Sequence, residues 1–193
     1  MNKLLIVLMF LPSLSYATRY QTGDIIFHTS KSAQSIVIQK ATHSPYSHMG
    51  MLVNKNGKLW VLEAIQPVKY TAFNDWVNRG VNQQYVVKRL NCDLSRQQQN
   101  TLVKNAEKYL GKPYDIYFEW NNDAIYCSEI IWKAYNDALG IQLAPLQKLN
   151  RFDLSDLKVK ALMKQRYGQN IPLQETVIAP KAIFESKQLI TVK

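Results

Sequence analysis

Two strand-like runs, Ser47 to Val53 and Lys58 to Ile65, meet at Asn54-Lys55-Asn56-Gly57, and this junction constrains the chain more than any other stretch. Asn-Gly readily supplies the positive φ angles of a tight hairpin turn. A loop with an even number of residues, centred on Asn56-Gly57 or just before it, makes opposed positions sum to an odd number. Every pairing of that parity puts His48, Gly50, Leu52, Val61, Glu63 and Ile65 on one face. His48 then lies directly opposite Glu63 or diagonal to it, and a one-residue slip would part them. Taken alone, the pair is also compatible with a histidine satisfied in a half-buried strand and a carboxylate turned to solvent.

A second stretch, Tyr126-Cys127-Ser128-Glu129, opens a segment with Ile130, Ile131, Ala134, Ala138 and Leu139 at helical spacing. Asp123 is the expected N-cap and Gly140 the expected left-handed stop. Cys127 then sits in the first turn, where unpartnered backbone N–H groups and the positive end of the helix dipole favour a thiolate. A thiol nucleophile needs a base and a group to orient that base. Of the three histidines, His28, His43 and His48, only His48 has a carboxylate expected on its own sheet face. By itself the stretch fits equally a packed small residue or half of a disulfide with Cys92.

The remaining elements read as an α+β domain. Gly23 to Phe27 and Tyr85 to Leu90 are strands, Pro67 to Thr71 is a short one, and Phe73 to Val77 is a helical turn. Thr29-Ser30 opens a short helix ending near Ala41, and His43 to Tyr46 is a loop. Ser95 with Gln98 forms a capping box for a helix running toward Gly111. Tyr114 to Trp120 is an aromatic run expected to line or cover something. Asp153 or Ser155 caps a helix from Leu157 to Tyr167, and the tail from Ile171 shows little beyond a turn after Pro180. No repeat or low-complexity tract divides the chain. There is no paired-Cys or H-E-x-x-H metal spacing, no phosphate-cradling glycine loop and no G-x-S-x-G elbow, so neither metal nor cofactor is expected.

The first seventeen residues have the form of a secretory signal peptide. A basic start is followed by an apolar run from Leu4 to Leu14 and the small-residue site Ser15-Tyr16-Ala17. Cleavage near Ala17 leaves 18–193 as one periplasmic or secreted domain. The net charge of +10 suits nucleic acid inside a cell, but outside it suits anionic envelope surfaces, with nucleic acid excluded as a partner. Its cations are scattered rather than clustered.

The ordered set Gly23-Asp24-Ile25-Ile26-Phe27, Tyr46-Ser47-His48-Met49-Gly50-Met51, Glu63-Ala64, Gly111-Lys112-Pro113-Tyr114-Asp115 and Tyr126-Cys127-Ser128-Glu129 resembles the YiiX/YebB-like cysteine hydrolases. These are a circularly permuted branch of the NlpC-type papain-like fold, in which the histidine strand precedes the cysteine helix. The resemblance covers nearly all of the mature chain. It implies an antiparallel sheet or half-barrel packed against helices, with the nucleophile at a helix N-terminus. It implies Cys127 as nucleophile, His48 as base and Glu63 as the third polar residue, with Tyr46, Asp24 and Tyr114 bordering the site. Cys92 lies in none of these motifs, which counts against a Cys92–Cys127 bridge. The implied activity is an amidase or peptidase on cell-wall peptides. The alternatives are a lipid-directed thioesterase or acyltransferase of the lecithin-retinol-acyltransferase type, and a non-catalytic basic envelope-binding domain.

Overall fold

The turn at Asn56-Gly57 has φ values of 53° and 75°, the positive pair that a two-residue hairpin needs to match the twist of its strands. The computed structural model describes residues 20–193, so the expected signal peptide lies outside the described residues. The turn joins β2 (His48–Lys55) to β3 (Lys58–Glu63), with Met51 opposite Leu62 and Leu52 opposite Val61. That is the register the loop parity requires.

The hairpin is the middle of a six-stranded antiparallel sheet. Around it lie β1 (Ile25–His28), β4 (Lys69–Ala72), β5 (Val86–Leu90) and β8 (Leu189–Thr191), in the order β4-β3-β2-β1-β5-β8. β6 (Gln147–Lys148) and β7 (Thr176–Val177) pair separately. Six α-helices complete the described chain: α1 (Ala33–Thr42), α2 (Phe73–Asn78), α3 (Arg96–Glu107), α4 (Cys127–Leu139), α5 (Leu157–Tyr167) and α6 (Pro180–Phe184).

Alternation along the strands sorts the core into two layers. Ile25, Phe27, Met49, Met51 and Leu62 face α4 and pack on Ile130, Ile131, Ala134 and Tyr135. Ile26, Leu52, Val61 and Val87 face the other way, onto Phe73 and Trp76 of α2. A third, smaller cluster holds α1 to α5 through Val37, Val159 and Met163.

Several local expectations are corrected. Tyr126, not Asp123, is the N-cap of α4, because Asn121 Oδ1 accepts the Asp123 N–H at 2.9 Å and keeps that residue in a loop. Glu129 accepts the Tyr126 N–H at 3.3 Å, which fixes the entry into the helix. Asp156 caps α5 by accepting the Lys158 N–H at 2.8 Å, while Asp153 is spent on Ser155. Ser32, not Thr29 or Ser30, precedes α1. The tail is more regular than expected, since β8 pairs with β5 and closes one edge of the sheet. Both cysteines are free thiols, Cys92 exposed and Cys127 buried.

Candidate active site

Gly50 is what lets the hairpin build a site. One step beyond the Met51–Leu62 pair, it faces Glu63 across the β2–β3 ladder. A Cβ on residue 50 would come within 2.4 Å of Val61 Cγ1 and 3.3 Å of Glu63 Cβ. The empty position lets His48 reach diagonally over it, and His48 Nε2 meets Glu63 Oε2 at 2.6 Å. Gly50→Ala is therefore expected to destabilise the protein by about 1–3 kcal/mol through overpacking. It should also lower catalytic rate more than substrate affinity, which urea unfolding and steady-state kinetics on the same preparation will show. Unchanged kinetics in a folded variant would refute this role.

Glu63 is fully buried and has three donors. Besides His48, Thr71 Oγ1 donates to Oε1 at 2.5 Å, and Arg79 Nη2 pairs with the same oxygen. Burial pushes the carboxyl up, but the His48 hydrogen bond and charge, then Thr71 and Arg79, outweigh it and bring it down to about 2. Glu63 is accordingly a carboxylate at every ordinary pH, and its charge faces the imidazole.

His48 is the first residue of β2 and Cys127 the first of α4. The face carrying His48 and Glu63 is the α2 face, whereas the body of α4 packs on the opposite one. The two groups meet only because each stands at the end of its element. Burial alone would lower the His48 pKa. Side-chain hydrogen bonds to Cys127 and Glu63, and the charges of both, raise it to about 9. With Nε2 engaged by Glu63, the nitrogen left for the sulfur is Nδ1.

His28 stands directly across the ladder from His48, with ring centroids 5.4 Å apart. It stacks on Trp76 at 3.8 Å, and burial, then the His48 and Arg79 charges, lower its pKa to about 3. It is a neutral spacer beside an imidazolium, not a second base.

Residues flanking Cys127 fix the wall of the site. The Tyr126 hydroxyl accepts the Ile178 N–H at 3.1 Å, and the Ser128 hydroxyl donates to the Ile178 carbonyl at 2.7 Å. The segment 177–180 is thereby held against Cys127. Together with Val37, Ile38, Phe118, Leu149 and Met163 it encloses a slot of about 80 Å³, partly open to solvent and lined almost entirely by apolar atoms. His48 lines a second, open groove of mixed character that carries Lys31, Gln34, Gln66, Asn78 and Arg79 beside apolar surface. Tyr114 borders both. Its backbone N–H donates to Gln66 Oε1 at 2.6 Å, and its hydroxyl accepts from Gln34 Nε2 at 3.2 Å. Arg166 Nη2 in turn donates to Gln34 Oε1 at 2.6 Å. Burial and then the Cys127 charge hold the Tyr114 phenol well above its ordinary range, so it keeps its proton.

Of the six residues singled out from sequence, the structure brings together Cys127, His48, Glu63 and Tyr114. It does not bring Asp24 to them. Asp24 precedes β1 at the end away from His28, buried in a two-pronged pair with Arg89 at 2.6 and 2.7 Å. Tyr46 stacks on Phe184 at 4.1 Å and edges onto Phe27 instead of lining the slot. Thr71, Arg79, Gln34 and Ile178 carry no local signal of their part in the site. Each arrives through contacts between distant segments.

The model of the permuted papain-like amidase family YaeF/YiiX, C92, matches residues 19–193. The chain belongs to this family. It is 51% identical over 191 residues to the uncharacterized protein YiiX of Escherichia coli (strain K12), covering 99% of this chain and 95% of that one. The crystal structure of the metalloprotein YiiX from Escherichia coli O157:H7 superposes with a TM-score of 0.88 at 53% identity, over 91% of this chain and 97% of that one. Membership makes the chain a cysteine amidase or peptidase by family, on an α+β permuted papain-like fold. Among the described residues of this chain, no three His, Cys, Asp or Glu side chains come together as a donor set for a metal ion.

Proposed function

We propose that this amidase cleaves the bond between an apolar acyl chain and a polar amine, through a Cys127-His48-Glu63 acyl-enzyme cycle. The observation that carries the reading is the apolar slot with Cys127 in its wall, set beside an open groove that His48 lines and that carries polar and charged side chains. The acyl chain fills the slot and the amine lies in the groove. Cys127 Sγ attacks the carbonyl carbon, and the oxyanion is met by the N–H groups opening α4 and by the Tyr114 hydroxyl, whose proton Gln34 leaves free. As the tetrahedral intermediate collapses, His48 gives its proton to the departing amine. A water, deprotonated by His48, then attacks the thioester and releases the carboxylic acid and the thiol. Glu63 holds the imidazole and stabilises its charged form.

A cell-wall peptide, the substrate expected from resemblance, would have to place charged or polar groups in the slot at a desolvation cost. The two substrates are separable. A series of N-acyl amides sharing one amine, from acetyl upward, should show kcat/KM rising by about fourfold per methylene until the slot is full, the factor that follows from about 0.8 kcal/mol per buried methylene. Purified muropeptides should remain intact in the same assay. Turnover of muropeptides with indifference to acyl length would replace this reading with the wall-peptide one. Turnover of thioesters or phospholipid esters alone would replace the amide with an ester donor.

A further inference from the structure

α5 contributes Met163 to the lining of the slot and leaves a lysine-bearing side exposed. Val159 and Met163 are buried, and Met163 lines the slot. One hundred degrees per residue puts Leu157, Lys160, Ala161 and Lys164 together on the outer face. All four are exposed, and Leu157 at 82% is the most exposed large apolar side chain among the described residues. The helix carries Lys158, Lys160, Lys164 and Arg166 and no acid in its eleven residues. None of the three lysines has an ion-pair partner among the described residues. The acids nearest in sequence are engaged elsewhere, Asp153 with the Ser155 N–H and hydroxyl and Asp156 with Lys40 at 3.6 Å. At the C-terminal end of α5 the Tyr167 hydroxyl donates to the Tyr117 carbonyl, which sets Ile116 and Tyr117, 45% and 44% exposed, beside the helix. Ile116 lines the open groove that His48 borders. Lys160 and Lys164 thus share an exposed face with Leu157, Ile116 and Tyr117 are exposed near the other end of the helix, and Met163 on the buried side lines the apolar slot.

We propose that the outer face of α5 docks on an anionic phospholipid bilayer, with Leu157 at one end and Ile116 and Tyr117 at the other entering the interface. Lysines on such a face meet the negative surface potential while apolar side chains beside them leave water. An enzyme taking an acyl chain from a membrane needs a surface of this kind near its slot. The inference rests on the acyl-chain reading for its purpose, but its test does not depend on turnover.

The test uses the chain from Thr18 onward, which keeps every described element, and co-sedimentation with vesicles. One set is pure phosphatidylcholine and the other contains about one third phosphatidylglycerol. The chain should sediment with the anionic vesicles, be released by high salt, and leave the neutral ones unbound. Leu157→Asp and the double change Lys160→Glu with Lys164→Glu should each weaken binding by roughly tenfold or more, since each surface lysine contributes on the order of a fivefold change. Both variants should hydrolyse a soluble short-chain N-acyl amide at the unaltered rate. Absence of binding to anionic vesicles, equal binding to both sets, or variants that bind as well as the parent would each overturn the proposal. Capture by soluble heparin that the same substitutions abolish, with no vesicle binding, would assign the face to an anionic polymer instead. Vesicle binding without any N-acyl hydrolysis would sink the substrate reading and leave the docking face standing.

Discussion

Cys127→Ala should abolish turnover, lowering kcat by on the order of 10⁴-fold to 10⁶-fold, the range seen when a catalytic nucleophile is removed. The fold should survive. Cys127 is nearly fully buried in the main core cluster, alanine differs from it by one sulfur, and alanine is a strong helix former at the first position of α4. The residual rate comes from the parts left in place, the N–H groups at the helix start and the apolar slot beside them. The control is Cys92→Ala, which removes the exposed thiol and should change nothing in the kinetics. Iodoacetamide followed by intact mass then separates the two sites. The parent gains two adducts, Cys92→Ala gains one and loses activity with it, and Cys127→Ala gains one with no activity to lose. If Cys127→Ala keeps more than about one hundredth of the parental rate, the nucleophile is another group and the assignment fails.

The hairpin explains how much of this site the sequence could carry. His48 and Glu63 were joined by parity alone, because a strand side chain alternates with period two and Asn56-Gly57 left little freedom in the turn. The partners that make Glu63 a carboxylate were not legible. Thr71 comes from the neighbouring strand and Arg79 from just beyond α2, and their pairing with Glu63 depends on how β4 and α2 fold back. The strap at Ile178 is a similar case. Tyr126 and Ser128 stood in plain view beside the cysteine, but what they hold lies fifty residues away in a tail with weak local pattern. Asp24 shows the opposite failure. It matched a motif in the right order, yet its carboxylate is consumed by Arg89 at the wrong end of β1. Motif order locates the elements, but only tertiary pairing decides which of their polar groups are free for chemistry.

Glu63→Gln should reduce kcat by about 10³-fold to 10⁴-fold with little change in KM, as expected when the orienting carboxylate of a catalytic histidine becomes an amide. Glutamine keeps the shape but offers no charge to the imidazolium and presents an N–H₂ that turns the ring toward the wrong tautomer. The loss should be smaller than that of Cys127→Ala, since the thiol and its helix remain. The pH profile gives a second reading. Glu63 is one of the groups that raise His48 to about 9, so its removal should draw the alkaline limb of the rate profile below that value. Stability follows the same linkage. The raised His48 contributes stability that is complete below its ordinary 6.5 and is lost as pH rises through about 9. The lowered Glu63 contributes stability that is complete above its ordinary 4.5 and is lost as pH falls through about 2. Both contributions are therefore whole between about 4.5 and 6.5, and the difference in unfolding free energy between parent and variant should be largest there. His28 titrates in both proteins and largely drops out of that difference. Urea midpoints in this window and above pH 9 provide the measurement. A difference that stays constant across that range would mean that the His48–Glu63 bond at 2.6 Å carries no charge in solution, and the role of Glu63 in holding the imidazolium would fall with it.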